Sequence, residues 1–318
     1  MRKRSGLLAR CVFALLAACA ALCVAGCASS PRAGSVEPLD VLPPEAALYV
    51  YVPVAQYQDF ARAVLKGAAS GMSDKDSERV LSRTEDVYLA LDAQCGAQLA
   101  VRGSYPQAAV KAALSAKRGW QKHTLAAGTA CADTAALADG EAGDAGDVVL
   151  RKPYTYYTRA DLPLELSFPR AGLLVAGSSV QPLIARYDSA LFTQSAAQKS
   201  GTGVYAYLSE PQTAEIRFAS PDAAALLALL AEKLNPALSL LSFRAVYGSL
   251  RHAAADADST LSLTLELEDA RTLRATAAML KLALLAVQAE VSAAGEASIT
   301  VTVTVPWQTV LSSFTTMN

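Results

Sequence analysis

The sequence predicts an α+β fold in two halves, each with the element order β-α-β-β-α-β. Three observations support this prediction. Short runs rich in β-branched and aromatic residues alternate with longer segments of helical periodicity, and the order of these elements repeats after residue 202. In the second half, the runs TLSLTLELE at 260–268 and SITVTVTV at 298–305 alternate between apolar and polar residues, as half-buried strands do.

The first half opens with a predicted strand and an amphipathic helix. The run ALYVYVPV at 47–54 is apolar and aromatic, and 57–68 then carries apolar residues at helical spacing. Ser104 and Gln107 form a capping-box pattern for a second helix, which we expect to end at Gly119. The further strands of this half are expected at 86–93, 97–102, 120–125, 154–159 and 172–176, with a short helix near 180–187.

The second half repeats this plan. The run GVYAYL at 203–208 echoes the opening strand, and Ser220-Pro221-Asp222 supplies an N-cap and an early proline for the helix that follows. The remaining elements are expected as paired strands at 243–251 and 260–268, the longest helix at 270–290 and a closing strand at 298–305.

This element order resembles a duplicated ferredoxin-like split β-α-β unit. The resemblance implies antiparallel sheets that are covered by helices on one face. The polar run QSAAQKSGT at 194–202 is the predicted boundary. It separates a first domain at 43–193 from a second domain at 203–318.

Residues 1–26 have the pattern of a secretory signal peptide. Four basic residues, of which Arg10 is the last, supply the positive n-region, and the 14 residues from Cys11 to Val24 are all apolar. An apolar run of this length is shorter than the roughly 20 residues that a permanent membrane-spanning helix needs.

The next residues, Val24-Ala25-Gly26-Cys27, resemble the bacterial lipobox. The resemblance implies that acyl chains such as palmitate are attached at Cys27, where the mature chain begins, and that they anchor the protein in the membrane. Residues 27–42 are then the lipidated cysteine and a flexible, proline-containing tether. The alternative is an ordinary secretory signal. Ala28 occupies the place where some bacteria put an inner-membrane retention aspartate, which favours the outer membrane over the inner.

Charge and cysteine content limit the functions available to the mature chain. Loss of the four basic residues of the signal leaves 24 Lys+Arg against 29 Asp+Glu, a net charge of −5, which disfavours nucleic-acid binding. With Cys27 lipidated, Cys95 and Cys131 are the remaining thiols in an oxidising compartment. A disulfide between them would close a loop of about 35 residues and contribute about 3–4 kcal/mol. Two separate buried thiols are the alternative.

The motifs of catalysis and metal binding are absent from the sequence. His123 and His252 have no partner at metal-ligand spacing, and there is no Gly-x-Ser-x-Gly elbow. We therefore predict no catalytic residue, no metal and no cofactor. The acidic loop at 139–147 fits no known calcium pattern and is interpreted as solvated chain, while the tyrosine-rich strip at 151–159 is either a half-buried strand or a glycan contact.

Two apolar helices suggest contact with lipid. The segment 223–231 contains no polar residue, and 270–290 has only a narrow polar stripe of Arg274, Lys281 and Gln288. This alanine-rich character is similar to that of some spirochaetal outer-membrane lipoproteins, which implies amphipathic helices that touch the bilayer. The alternative is that both helices cover a sheet. The candidate contact residues are Leu226, Leu227, Leu230, Met279, Leu280 and Leu284.

The sequence thus predicts a membrane-anchored envelope lipoprotein without catalytic activity, in a binding or structural role. A lipid-binding protein that uses the helices near 223–234 and 270–290 is the second hypothesis, and an enzyme is the third. The sequence does not identify a protein or glycan partner.

Overall fold

A computed structural model describes twelve parts of the mature chain. They are residues 36–44, 46–62, 78, 81–92, 96–131, 148–160, 162–192, 203–209, 214–224, 243–252, 258–285 and 288–315.

Strands dominate the described residues. The strands are β1 Leu48–Pro53, β2 Thr84–Leu91, β3 Ala97–Gly103, β4 Trp120–Leu125, β5 Ala130–Cys131, β6 Val148–Val149, β7 Tyr154–Arg159, β8 Leu162–Arg170, β9 Leu173–Gly177, β10 Ile216–Ser220, β11 Phe243–His252, β12 Asp258–Leu267, β13 Glu290–Ala293 and β14 Ser298–Pro306. The helices are α1 Pro38–Val41, α2 Gln107–Ala113, α3 Gln181–Phe192, α4 Gly203–Ser209, α5 Leu273–Ala283 and α6 Trp307–Thr315.

Twelve of these strands form one continuous antiparallel sheet. Its order is β13-β14-β12-β11-β10-β1-β2-β3-β9-β8-β7-β4, and β5 and β6 form a separate pair. The α+β class and the antiparallel pairing predicted from the alternating runs are therefore confirmed. The sheet runs across the predicted domain boundary, because β1 pairs with β10 through Tyr49↔Ala219 and Tyr51↔Arg217.

The two halves extend from this central pair in opposite directions. In the first half, β1 is followed by helical turns at 58–62 and then by β2, β3 and α2. In the second half, β10 is followed by a helical turn at 223–224 and then by β11, β12 and α5. The repeated element order is therefore present, but the strand that corresponds to β1 is β10 at Ile216–Ser220. The run at 203–208, expected as that strand, is the helix α4.

A structural reason explains this correction. Val204, Tyr207 and Leu208 stand at helical spacing and pack on the sheet, where the Tyr207 ring lies 5.3 Å from that of Tyr247. Because β10 already occupies the hydrogen-bonding edge of β1, α4 packs on top of the sheet.

The ferredoxin-like order is not confirmed. A split β-α-β unit requires two parallel strands with room for a third between them. Here β1 and β2, which flank a helical segment, are directly hydrogen-bonded antiparallel neighbours, and so are β10 and β11.

The two faces of the sheet carry different layers. On face 1, α2 packs through Val110 on Leu99, and α5 packs through Leu280 within the cluster that contains Ile299. On face 2, helices α1, α3 and α4 cover the strands from β11 to β7. Helices therefore lie on both faces in each half, with α2 opposite α3 in the first and α5 opposite α4 in the second, so the expectation of one covered face is wrong. Beyond β11, face 2 presents half-buried serine and threonine side chains: Ser262, Thr264, Thr300 and Thr302.

Three further expectations differ from the structure. α5 is shorter than the predicted 270–290 helix: it ends at Ala283 with Leu284 as C-cap, and the chain returns as β13 at Glu290. α2 begins at Gln107 with Pro106 as N-cap, so no capping bond from Ser104 forms. The strand β8 was not expected.

The end of the predicted tether belongs to the fold. Val36, Val41 and Leu42 are buried in the core cluster under α3, and Glu37 and Asp40 cap the single turn of α1. The described part of residues 27–42 therefore packs against the domain, and the flexible tether remains a prediction for the residues that precede it.

Candidate membrane-contact site

Helix α5 packs on the sheet through one side. Leu280 is 8% exposed and lies in a core cluster with Leu265, Ile299 and Val301, while Leu273 and Leu284 are partly buried against the same cluster. With Ala277, which packs against the same cluster, these positions recur at three- and four-residue spacing, which places them on one side of a helix. The sheet therefore accounts for the apolar residues on this side of α5.

Toward its C-terminal end, α5 also carries large apolar residues on the opposite side, and these face solvent. Met279 is 51% exposed, Leu282 is 76% exposed and Leu285, just beyond the last turn, is 74% exposed. At about 100° per residue, Leu282 points roughly 200° away from Leu280, and Met279 and Leu285 lie on either side of it. We call these three side chains the apolar stripe.

Basic residues border the apolar stripe. Arg274 and Lys281 are exposed, and helical geometry places both on the flank of the stripe near Leu285. Long basic side chains can keep their charges at the level of lipid headgroups while their methylene stems lie along apolar surface. The order of charge and apolar surface on α5 is therefore the one found in helices that lie in a membrane interface.

The candidate residues predicted from sequence separate into three groups. Met279 lies in the apolar stripe, Leu280 is buried and Leu284 is half-buried. Leu226, Leu227 and Leu230 lie outside the described residues, as does the lipidation site Cys27. Whether any of these residues touches lipid stays a prediction.

Leu282 and Leu285 are the exposed apolar residues that sequence reasoning missed. The run MLKLALL at 279–285 is apolar at almost every position, so periodicity alone does not tell the buried side from the exposed one. Within the described residues, no helix combines the length and the apolarity needed to cross a bilayer.

Both histidines stack on aromatic rings. The His123 ring lies 4.9 Å from that of Tyr156, and its Nε2 is 2.8 Å from the Thr158 hydroxyl. The His252 ring lies 4.2 Å from that of Trp307. Among the described parts of the chain, no group of three or more His, Cys, Asp or Glu side chains is arranged to hold a metal ion.

The tyrosine-rich strip is mainly a core strand. Tyr154 and Tyr157 are buried, and the Tyr154 hydroxyl donates a 2.6 Å hydrogen bond to Asp188. Burial, and then this hydrogen bond and the charge of Asp188, raise the pKa of Tyr154 above its usual range. Tyr156 is half-buried beside His123. The acidic loop at 139–147 lies outside the described residues.

Of the two cysteines in the predicted disulfide, only Cys131 lies within the described residues. Cys131 in β5 is 2% exposed and packs in the core cluster on face 2, whereas Cys95 lies outside the described residues. The Cys95–Cys131 bridge therefore stays a prediction.

Comparisons with known proteins give one family and one fold. The model of the family "Outer membrane-associated lipoprotein TP0453" matches residues 33–134. Among the solved structures that are similar in fold are two crystal forms of TP0453. Crystal form I has a TM-score of 0.56 at 19% identity and covers 89% of this chain and 98% of its own. Crystal form III has a TM-score of 0.56 at 18% identity and covers 88% of this chain and 98% of its own. No curated protein sequence matches the chain.

The two matches bear on different predictions. At these identities the structures establish a shared fold, while the family match concerns the first third of the chain. Together they confirm the similarity to outer-membrane lipoproteins that the sequence suggested. The chain is therefore similar to outer-membrane-associated lipoproteins in residues 33–134 and to TP0453 in fold.

Proposed function

We propose that this lipoprotein acts without catalysis and that α5 rests on the surface of the membrane in which its lipid is anchored. The apolar stripe of Met279, Leu282 and Leu285 is the observation that carries the proposal. Scattered exposed leucines are common on protein surfaces. Met279, Leu282 and Leu285 instead lie together on one side at the C-terminal end of α5, where Arg274 and Lys281 border them.

Burial of the apolar stripe in the membrane interface is energetically favourable. Moving an exposed leucine side chain out of water contributes about 1.5–3 kcal/mol when burial is complete. The anchor expected at Cys27 holds the domain close to the membrane, so α5 needs only to orient the protein there. A weak individual interaction is then sufficient, because tethering turns the second contact into an intramolecular one.

The other side of α5 constrains how this contact forms. Leu280 and Leu273 pack in the cluster that contains Ile299, so these side chains stay with the sheet while Leu282 faces lipid. The helix would lie parallel to the membrane with its outer side immersed, and its 11 residues match an interfacial helix better than a spanning one.

The proposal of a non-catalytic role is supported by the places that reactive groups occupy. His123 and His252 stack on aromatic rings, and the buried Asp188 accepts hydrogen bonds from Tyr154 and from the backbone of Arg151. These contacts are typical of groups that stabilise a core.

Flotation of the unlipidated protein with vesicles tests the membrane contact. The mature chain with Cys27→Ser would be mixed with vesicles of phosphatidylcholine and phosphatidylglycerol and centrifuged through a density gradient. We expect it to float, and the double variant Leu282→Lys/Leu285→Lys to bind at least about ten-fold more weakly, since 1.4 kcal/mol corresponds to a factor of ten.

The matched control is Thr304→Lys with Gln308→Lys, which adds two lysines at exposed positions outside α5. This control should float as the parent does. Equal flotation of both lysine variants, or no flotation of the parent, would refute the membrane contact of α5.

A further inference from the structure

A polar cavity lies at the end of β1 and β2, away from α5. Its volume is about 540 Å³, and its lining includes Tyr51, Gln56, Glu85, Asp86 and Arg102. This volume lies within the range of about 300–1,000 Å³ that is usual for small-molecule sites. Pro53, Ala55 and Leu81 add apolar surface to the wall.

The buried carboxylate of Asp86 orients the Arg102 guanidinium in the cavity. Asp86 is 6% exposed; its Oδ1 accepts a 2.9 Å hydrogen bond from the Tyr51 hydroxyl, and its Oδ2 accepts one from Nη2 of Arg102. Burial, and then the charge of Asp86, raise the pKa of Tyr51 above its usual range, so the hydroxyl stays a donor. Asp86 therefore holds the Arg102 guanidinium in one orientation at the cavity.

The rest of the guanidinium faces carboxylates at distances too long for hydrogen bonds. Nε of Arg102 is 3.6 Å from Oε2 of Glu85, and Nη1 is 4.0 Å from Oε2 of Glu37. Nε is itself buried and makes no hydrogen bond to any of the described residues, whereas the Arg102 side chain as a whole is 41% exposed. A bulge in β2 between Thr84 and Asp86 turns Glu85 toward Arg102, and bulges often re-aim side chains beside binding sites.

These spacings favour one kind of ligand group. A hydroxyl can accept a hydrogen bond from Arg102 and donate one to Glu85 at the same time, which neither a carboxylate nor an ammonium can do. Around the guanidinium, Glu37, Glu85 and Asp86 outnumber its single positive charge, so an anion is repelled. The excess negative charge alone would attract a cation, and a hydroxyl is favoured over an ammonium because it can also accept from Arg102.

We propose that this cavity binds a neutral saccharide. Vicinal hydroxyls would bridge Arg102 and Glu85 and reach the Gln56 amide, while the C–H face of the ring would lie against Pro53 and Ala55. The exposed Gln56 and Glu85 side chains stand at the open side of the cavity, so a sugar at the end of a longer glycan fits as well as a free one.

Calorimetry with defined sugars tests the site. The mature chain with Cys27→Ser would be titrated with maltose and with the disaccharide of N-acetylglucosamine. We expect saturable binding of at least one of them at millimolar concentration, and a loss of ten-fold or more in affinity in Glu85→Ala and in Gln56→Ala. Glu290→Ala removes an exposed carboxylate from β13 and is the matched control, with unchanged affinity.

Retention on amylose resin or chitin beads shows whether the same site takes a polymer; a protein retained there should be released by the free disaccharide. Absence of binding to both sugars in both formats would overturn the proposal. So would an affinity that Glu85→Ala and Gln56→Ala leave unchanged, or saturable binding of putrescine or phosphate in place of the sugars.

Discussion

Leu280 and Leu282 lie two residues apart on α5 and face opposite environments. Leu280 is 8% exposed and packs in the core cluster on face 1, whereas Leu282 is 76% exposed. A helix that only covers a sheet requires apolar residues on one side, so the sheet explains Leu280 and does not explain Leu282. This difference is the basis for the proposed contact between α5 and the membrane.

The ion pair between Arg102 and Asp86 should stabilise the fold. Arg102→Ala removes the guanidinium that pairs with Asp86, whose side chain is 8% exposed. We expect a loss of about 1–3 kcal/mol in the free energy of unfolding. The value should lie toward the low end, because the Arg102 side chain is 41% exposed to solvent.

Urea denaturation measures this loss. The control is Arg244→Ala, which breaks a pair with Glu266 at a side chain that is 74% exposed, and it should leave stability nearly unchanged. Equal effects of the two substitutions would show that Asp86 does not depend on Arg102.

Gly248 in β11 is required by its neighbours. A Cβ at this position would lie 2.1 Å from Cζ of Phe218 and 2.9 Å from Cδ2 of Leu263. Gly248→Ala should therefore cost about 1–3 kcal/mol through overpacking. Gly172→Ala, whose nearest atom would be 3.5 Å away, is the control and should unfold at nearly the parent urea concentration. A Gly248→Ala protein as stable as the parent would mean that Phe218 moves aside freely.

The buried tyrosines predict a loss of stability at alkaline pH. Burial raises the pKa of Tyr51, Tyr154 and Tyr187 in the folded chain above that of an unfolded tyrosine. The unfolded chain then releases these protons first, so the stability is present below about pH 10 and is lost as the pH rises further.

Unfolding in urea at about pH 9 and pH 11 should show this decrease in free energy. Tyrosinate absorbance of the folded protein should also appear at higher pH than that of the urea-unfolded chain. Identical absorbance titrations of the two forms would contradict the burial of these hydroxyls.

The cysteines provide a fourth prediction. If Cys95 and Cys131 form a disulfide, alkylation of the unfolded mature protein should add two groups only after reduction, as measured by mass spectrometry. The bridge should contribute about 3–4 kcal/mol in the chain-entropy model. Two alkylated thiols without reductant would show that Cys131 is instead a buried thiol of the core.

The sequence predicted the strands better than the helices. The alternation at 260–268 and 298–305 corresponds to β12 and β14, because a half-covered sheet needs apolar side chains at every second position. The run GVYAYL at 203–208 resembles the opening strand in composition and yet forms α4. The position beside β1 in the sheet is taken by β10, which follows α4 in the chain.

The candidate site was only partly predictable for a related reason. Helical periodicity identified α5, and Met279, one of the lipid-contact candidates, is exposed there. Since both sides of α5 are apolar, only the position of the sheet shows that Leu280 points inward and Leu282 outward. The Asp86–Arg102–Tyr51 network was also invisible in the sequence, because its members come from three strands that only the pairing of β1, β2 and β3 brings together.

Tryptophan fluorescence at position 282 tests the membrane contact most directly. The two native tryptophans, Trp120 and Trp307, are 2% and 4% exposed, so their emission should change little when vesicles are added. In the unlipidated mature chain, Leu282→Trp should shift its emission to shorter wavelength on vesicles and be quenched by brominated phosphatidylcholine, while Thr304→Trp should show neither effect. Emission from Leu282→Trp that neither shifts nor is quenched would contradict the proposal that α5 lies in the membrane surface.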